Sequence, residues 1–137
     1  MDIIKRCLLS ACLLVLAACE GIPTSGAARD SMLSDYGAAI RWSEFEKAQD
    51  YIDPAIRQQQ PMSELETERL KQLKVTGYEV KTRDVAADGS IMQTVEIRVV
   101  NINTQIERII TDRQSWRRDA TGKRYWLVSG LPDFSAR

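Results

Sequence analysis

The hydrophobic period of the chain changes once, near Lys74, and this change constrains the fold more than any other feature. Before it, apolar residues recur every three or four positions, as in amphipathic helices. After it, apolar and polar residues alternate, as in half-buried strands. Helices followed by strands predict an α+β domain, in which N-terminal helices pack on a curved, four-stranded antiparallel meander.

Three helices are predicted before the change. The first begins near Asp30. A break is expected at Trp42 and Ser43, because Ser43 with Glu46 three residues later fits a capping box that would begin a second helix. Asp53-Pro54 ends that helix, since a residue before proline avoids helical geometry. A second capping box, Ser63 to Glu66, begins the third. The expected core positions are Leu33, Tyr36, Ile40, Trp42, Phe45, Ala48, Ile52, Leu65, Leu70 and Leu73.

Four strands are predicted after the change, over residues 75–86, 91–102, 105–118 and 124–129. Asp88-Gly89 is the most specific turn signal, because both residues tolerate the conformations of a tight hairpin. Ile109 is out of phase with Ile110, which a β-bulge or burial on both faces would explain. The residues expected to share an inner face are Tyr78, Val80 and Thr82, then Val95, Ile97 and Val99, then Ile106, Ile110 and Trp116.

Residues 1–18 have the features of a signal peptide. Lys5 and Arg6 precede a mostly apolar run from Cys7 to Leu16, and small residues follow it. This run is shorter than the roughly 20 apolar residues that a membrane-spanning helix needs. A leader of this kind directs a chain out of the cytoplasm, so the domain behind it is expected outside the cytoplasm.

Leu16-Ala17-Ala18-Cys19 resembles the lipobox of bacterial lipoproteins. The resemblance implies cleavage before Cys19 and attachment of lipid to its thiol; the alternative is a plain leader or an uncut anchor. Glu20, in place of aspartate, favours the periplasmic face of a Gram-negative outer membrane over the inner membrane. The predicted organisation is a signal peptide at 1–18, a lipidated cysteine with a flexible tether at 19–29 and a single domain at 30–137.

Composition excludes several classes of site in the processed chain. The leader holds two of the 19 basic and one of the 19 acidic residues, leaving 17 and 18, so nucleic acid is not an expected partner. The chain has no histidine, and two of its three cysteines lie in the leader. Ser-His-Asp and Cys-His sites are therefore excluded, as are most zinc sites. We predict no catalytic activity, no metal and no cofactor.

The domain resembles the nuclear transport factor 2-like superfamily, whose fold is a cystatin-like cone. The resemblance covers roughly residues 30–132. It depends on the order of elements, on Ser43-Glu44-Phe45-Glu46-Lys47-Ala48 continuing to Tyr51-Ile52-Asp53-Pro54, and on Arg113-Gln114-Ser115-Trp116 with Tyr125-Trp126-Leu127-Val128. It implies a conical pocket between the sheet and the first helix. Members of the superfamily include enzymes and binding modules, so the fold alone does not give the function.

Two sets of residues are candidates for function. Asp112 with Tyr36 or Tyr78 could supply acid–base chemistry inside the cone; alternatively, Asp112 faces solvent and the aromatic residues fill the core. The candidate pocket lining is Tyr36, Trp42, Phe45, Tyr78, Asp112, Trp116 and Trp126. The second set is a candidate basic patch around the third turn, formed by Arg113, Arg117, Arg118, Lys123 and Arg124. It could bind membrane headgroups, an anionic polymer or an acidic protein; alternatively, it is an ordinary solvated hairpin.

The sequence thus favours a non-catalytic, membrane-tethered periplasmic lipoprotein domain that binds a protein partner or a second copy of itself, as a component of an envelope complex. The alternative is a small-molecule binder or minor enzyme that uses the cone. That alternative requires a pocket larger than about 300 Å³.

Overall fold

A computed structural model describes residues 25–135 of the chain. The predicted signal peptide, Cys19 and the tether up to Thr24 lie outside the described residues. The elements, in chain order, are α1 (Ser25–Arg41), α2 (Phe45–Ala48), a 3₁₀ turn (Gln49–Tyr51), α3 (Pro54–Gln59), α4 (Glu64–Leu70), β1 (Leu73–Val85), β2 (Ile91–Asn101), β3 (Glu107–Arg118) and β4 (Tyr125–Leu127). None of the helices within residues 25–135 is long and apolar enough to cross a membrane.

The four strands form one open antiparallel sheet in the order β1-β2-β3-β4. The predicted α+β architecture is therefore confirmed, because helices precede a single meander. Alternation along β2 turns Val95, Ile97 and Val99 inward, as predicted, and each is at most 1% exposed. The Asp88-Gly89 turn also forms, with Gly89 at φ +83°, a conformation that glycine adopts without steric cost.

The core lies between α1 and the inner face of the sheet. Leu33, Tyr36 and Ile40 are buried on one side of α1, at the helical spacing that the sequence predicts. The Tyr36 ring meets the Trp116 ring edge to face, with centroids 5.0 Å apart. Each large apolar side chain buried here contributes roughly 1.5–3 kcal/mol. Gly37 lets Tyr78 approach α1, because a Cβ at this position would lie 3.0 Å from the Tyr78 ring.

Helix α1 extends further toward the N-terminus than the sequence predicts. The segment from Ser25 to Arg29 is helical, so the prediction of a flexible tether is wrong for these five residues. Alanine has the highest helix propensity of any residue type, and Ala27 and Ala28 both lie in this segment. Their propensity outweighs the low helix propensity of Gly26.

The predicted break after α1 is confirmed, but its chemistry differs from the prediction. Ser43 does not form a capping box: it has φ +60°, and its Oγ accepts a hydrogen bond from the Val75 backbone N–H at 2.9 Å. Glu44 is the N-cap of α2 and makes no side-chain cap bond. Trp42 was predicted to be inside and is 75% exposed. It lies two residues beyond buried Ile40, which places it on the opposite side of the helical path.

The connection from α2 to β1 contains a helix that the sequence analysis missed. Asp53 follows the preceding 3₁₀ turn and is the N-cap of α3. Its carboxylate accepts a hydrogen bond from the Ala55 N–H at 2.9 Å, and Pro54 occupies the first helical position. The capping box from Ser63 to Glu66 is confirmed at the start of α4. Leu65, predicted to be in the core, is 60% exposed on this short helix.

Bulges occur in β1 and not in β3. The β1–β2 register skips one residue at Thr76 and another at Lys81, so Thr82 no longer continues the inner face of Tyr78. The β2–β3 register is continuous, and Ile109, opposite Arg98, is exposed on the outer face. The predicted bulge or two-sided burial at Ile109 is therefore wrong. Ile106, predicted to share a face with Ile110, is 60% exposed because it lies in the turn before β3, and Val80 on the edge strand β1 is 39% exposed.

Helix α1 runs from one end of the sheet to the other. Near its start, Asp30 Oδ1 lies 3.7 Å from Arg83 Nη1, close to the β1–β2 turn. Just after its end, Ser43 binds Val75 near the beginning of β1. We call the end with the turns at 86–90 and 119–124 the proximal end, because α1 begins there. The end with the turn at 102–106 is the distal end.

We predict that Tyr36→Phe leaves the protein as stable or raises its free energy of unfolding by about 1 kcal/mol. The Tyr36 hydroxyl is buried and makes no hydrogen bond to another described residue, so its removal ends an uncompensated desolvation cost. Urea unfolding measures the change. Tyr78→Phe is the control, because the Tyr78 hydroxyl accepts a bond from Gln114 and its loss should lower stability by about 1 kcal/mol. A loss of stability in Tyr36→Phe equal to that of the control would contradict the prediction.

Candidate functional site

A chain of buried polar side chains crosses the inner face of the sheet. Gln93 Nε2 donates to Gln114 Oε1 at 2.6 Å, and Gln114 Nε2 donates to Asp112 Oδ2 at 2.7 Å. All three residues are buried. Arg83 Nε closes the chain at the rim by donating to Gln93 Oε1 at 2.9 Å. Buried polar groups of this kind are tolerated because nearly all of them find hydrogen-bond partners.

Asp112 is the ionisable group of this chain. Burial raises the pKa of its carboxyl, and the hydrogen bond from Gln114 opposes the rise without cancelling it. The alternative that Asp112 faces solvent is therefore wrong. Its alternation with Ile110 and Trp116 gives the reason, since residues two apart on a strand share a face.

The two candidate tyrosines stand in different relations to Asp112. Tyr78 is linked to it through Gln114, whose Nε2 also donates to the Tyr78 hydroxyl at 3.2 Å. Burial raises the pKa of Tyr78 to about 12. Burial also raises the pKa of Tyr36 well above its usual value, and the charge of Asp112 adds to the rise. Both phenols are therefore protonated near neutral pH, so neither could act there as a general base.

Aromatic side chains fill much of the core on the inner face of the sheet, the face that also carries Asp112. Tyr36 is 0% exposed and Trp116 is 1% exposed, and Trp116 Nε1 donates to Gln114 Oε1 at 3.3 Å. Phe45 packs on Phe134, with ring centroids 4.9 Å apart. These contacts give the aromatic residues a place in the packed core, as the alternative interpretation of the sequence expected.

Two members of the candidate pocket lining lie away from the interior. Trp42 is exposed at the distal end. Trp126 is half-buried on β4, and the Arg124 guanidinium lies 4.1 Å from its ring centroid in a cation–π contact. Neither residue shares the space next to Asp112, so the candidate pocket lining is not one continuous surface.

Most of the candidate basic patch is committed to contacts within the domain. Arg117 donates to Asp53 at 2.5 Å, and Arg118 donates to the Gly122 carbonyl at 2.8 Å. Burial acts to raise the pKa of Asp53, but the Ala55 N–H and Arg117 outweigh it and lower this pKa. Arg113 lies opposite Thr94, four residues before Arg117 along β3. Arg124 donates to the Asp50 backbone carbonyl at 3.0 Å, and it lies next to Lys123 at the β3–β4 turn.

An open groove of about 650 Å³ lies between α3, α4 and the chain after β4, and it reaches the distal end at Leu73 and Asn101; we call it the distal groove. Its apolar wall consists of Ile52, Ile56, Met62, Leu70, Leu73, Leu131, Pro132 and Phe134. Arg57, Glu66, Arg69 and Arg108 are among its polar residues. Arg108 also fixes one wall, because its guanidinium donates to the Phe134 carbonyl at 2.8 Å.

The sequence analysis missed the groove and two members of the polar chain. Gln93 and Gln114 carry a recognisable signal, since each is two residues from a buried apolar position on its strand. The groove carries none, because its walls come from segments about 60 residues apart that meet only in the folded chain. Within residues 25–135, no group of three or more His, Cys, Asp and Glu side chains could hold a metal ion.

Comparison with known proteins identified no relative: no family model, curated protein or solved structure matches the chain. The similarity to the nuclear transport factor 2-like superfamily therefore remains a prediction from the sequence.

We predict that Asp112→Asn raises the melting temperature at pH 7. The folded state raises the pKa of Asp112, so the ionised carboxylate costs stability at neutral pH, and this cost disappears once the group is protonated in both states. The advantage of the variant should therefore shrink as the pH falls toward about 3, below the usual pKa of an unfolded aspartate. Thermal unfolding at both pH values measures it. A variant that is less stable at pH 7 would show that the carboxylate has a stabilising partner.

Proposed function

We propose that this protein is a non-catalytic, lipid-anchored periplasmic lipoprotein domain that binds an apolar segment of a partner protein in the distal groove. The observation that supports the proposal is the groove itself, an open cleft with an apolar wall that reaches the end of the domain opposite to the start of α1. The start of α1 is the end nearest to the proposed anchor at Cys19. The distal part of the groove is therefore expected to lie farther from the membrane, where a periplasmic partner can reach it.

Exposed apolar side chains near the groove support a protein partner. The distal end also exposes Trp42, Leu65, Ile102 and Ile106, although water contact of large apolar groups is unfavourable. A partner that covered them would remove this surface from water, and tryptophan is among the residues most enriched in interface hot spots. Because the groove is open and elongated over three segments of chain, it suits a peptide segment better than a small enclosed ligand.

The chemistry of the groove wall defines the partner further. The apolar residues Ile56, Met62 and Leu131 are half-buried, so an incoming apolar side chain can contact them without unfolding the domain. Arg57 and Arg69 at the rim can hydrogen-bond to carboxylates or backbone carbonyls of the bound segment. The expected ligand is thus a segment with apolar side chains and acidic flanks.

The cone-based alternative is supported by one observation, the buried carboxyl of Asp112. Carboxyl groups with a shifted pKa are concentrated at functional sites, although structural hydrogen-bond networks also contain them. A substrate would need an open space at Asp112, but Tyr36 and Trp116 pack against each other in the core on the same face of the sheet. We therefore assign Asp112 to the polar chain of the core in this proposal.

The lipid anchor makes a direct prediction. Cys19→Ser should abolish incorporation of a labelled fatty acid, because serine lacks the thiol that carries the lipid. The expected loss is complete, and gel fluorography of cells grown with the labelled fatty acid measures it. Cys12→Ser, which removes a cysteine within the leader, is the matched control and should retain the label. Equal labelling of Cys19→Ser and the control would contradict the anchor.

The groove makes a separate prediction. A photo-crosslinking amino acid at Gln60, an exposed residue of the groove, should trap a discrete partner in intact cells, whereas the same probe at Thr111, exposed on β3, should not. Met62→Glu should abolish the crosslink from Gln60, because it places a charge against the apolar wall. Ile109→Glu, which introduces the same charge on the outer sheet face, should leave the crosslink intact. Identical products from Gln60 and Thr111 would refute the groove as the binding site.

A further inference from the structure

Four basic side chains meet around a second depression, at the proximal end. Arg29 comes from α1, Lys47 from α2, and Lys123 and Arg124 from the β3–β4 turn. We call these four residues the proximal cluster. The depression has a volume of about 870 Å³, and its wall also holds the carboxylates of Asp35 and Asp50. Only two of the five residues in the sequence-predicted basic patch belong to it.

The cations of the proximal cluster can reach a ligand to different degrees. Arg124 is exposed, but its guanidinium also donates to the Asp50 backbone carbonyl at 3.0 Å and contacts the Trp126 ring. Lys123 makes no ion pair with another described side chain. Lys47 pairs with Glu44 at 3.2 Å, and Arg29 pairs with Asp30 at 2.9 Å. Exposed ion pairs of this kind contribute little to stability, so they can exchange for contacts with an external anion at small cost.

The position of the cluster identifies that anion. Arg29 is in the second turn of α1, and five residues, Glu20 to Thr24, separate the proposed anchor at Cys19 from the first residue of α1. Even a fully extended chain would span only about 20 Å over this distance. With Cys19 anchored in lipid, the proximal end is thus confined to the region of the lipid headgroups.

We infer that the proximal cluster docks on anionic phospholipid headgroups of the membrane that holds the chain. Lysine and arginine near a negatively charged membrane surface are attracted to it, and their long side chains reach into the headgroup layer. The inference takes from the proposed function only the anchor at Cys19 and does not depend on the groove.

The tether explains how so small a cluster can bind. Asp35 and Asp50 reduce the positive charge of the depression, and the chain as a whole has a net charge of zero, so the free domain would bind a membrane weakly. A short tether makes docking an intramolecular event at a high effective concentration. Docking at the proximal end would hold α1 upright on the membrane and keep the groove at the opposite end accessible.

Fluorescence quenching in vesicles tests this arrangement. The full chain, purified from membranes with Cys7 and Cys12 replaced by serine, would carry a fluorophore on Ala120→Cys at the proximal end or on Thr104→Cys at the distal end. Vesicles would contain a headgroup quencher in phosphatidylcholine, with or without one-third phosphatidylglycerol, and flotation would verify attachment. We expect phosphatidylglycerol to increase quenching at position 120 and not at position 104.

Charge variants distinguish docking from the effect of the tether alone. Lys47→Gln with Lys123→Gln should lower the ratio of docked to undocked chains roughly fivefold for each lysine removed. About 1 M salt should have a similar effect, because it shortens the Debye length to about 3 Å. The matched control is Lys71→Gln with Lys74→Gln: Lys71 pairs with Glu68 three residues away, as Lys47 does with Glu44, but both lysines lie outside the proximal cluster.

Two results would overturn the inference. Equal quenching at position 120 with and without phosphatidylglycerol would mean that the tether alone sets the distance. Equal loss of quenching in the two double variants would mean that overall charge, and not the proximal cluster, is responsible. Neither result bears on the groove, whose partner is trapped in a separate experiment, so the two proposals can fail independently.

Discussion

The contact of Tyr36 with Trp116 is the interaction on which the rest of the structure depends. It joins the middle of α1 to the inner face of β3, and Tyr51 packs edge-on against the same tyrosine, with centroids 5.6 Å apart. One aromatic ring therefore packs against two other parts of the fold, the 3₁₀ turn and β3, and joins both to α1. With the helix fixed at its centre, its two ends are fixed at opposite ends of the sheet, which separates the proximal cluster from the distal groove.

The same packing buries polar groups, and their desolvation is unfavourable. A tyrosine in this place brings a hydroxyl into a core where, among the described residues, it has no hydrogen-bond partner. Nearby, Gln93 and Gln114 bring amide groups that do pair, and they link the arginine at the rim to the buried carboxyl of Asp112. The interior thus combines a satisfied polar chain with one unsatisfied group, and hydrophobic packing around both offsets the desolvation of these groups.

Local sequence patterns predicted the elements whose formation depends on near neighbours. The alternation of Val95, Ile97 and Val99, the spacing of Leu33, Tyr36 and Ile40, and the Asp88-Gly89 turn all appear as expected. The capping box at Ser63 formed because both of its partners lie within four residues of each other. The α+β architecture followed from the order of such elements alone.

The predictions that failed depend on contacts between distant residues. Ser43 has the sequence of a cap, but it binds Val75, 32 residues away, and takes a conformation that local patterns do not indicate. The exposure of Trp42 follows from that turn. In the candidate site, the strand phase placed Asp112 on the same face as Trp116, whereas the groove could be predicted only by knowing where the chain after β4 returns. Side chains from separate segments form a site only through the tertiary fold.

The two bulges in β1 would matter if the proposed anchor at Cys19 crowds copies of the protein on one membrane. Such copies would collide in two dimensions, and β1 is an edge strand of 13 residues that could pair with the same strand of a neighbour. The extra residues at Thr76 and Lys81 interrupt the ladder, and Lys81 is held between Glu79 and Glu96 at the second bulge. The irregular edge of β1 would therefore keep neighbouring copies from pairing into a continuous sheet, even at a protein density at which a regular edge strand would pair.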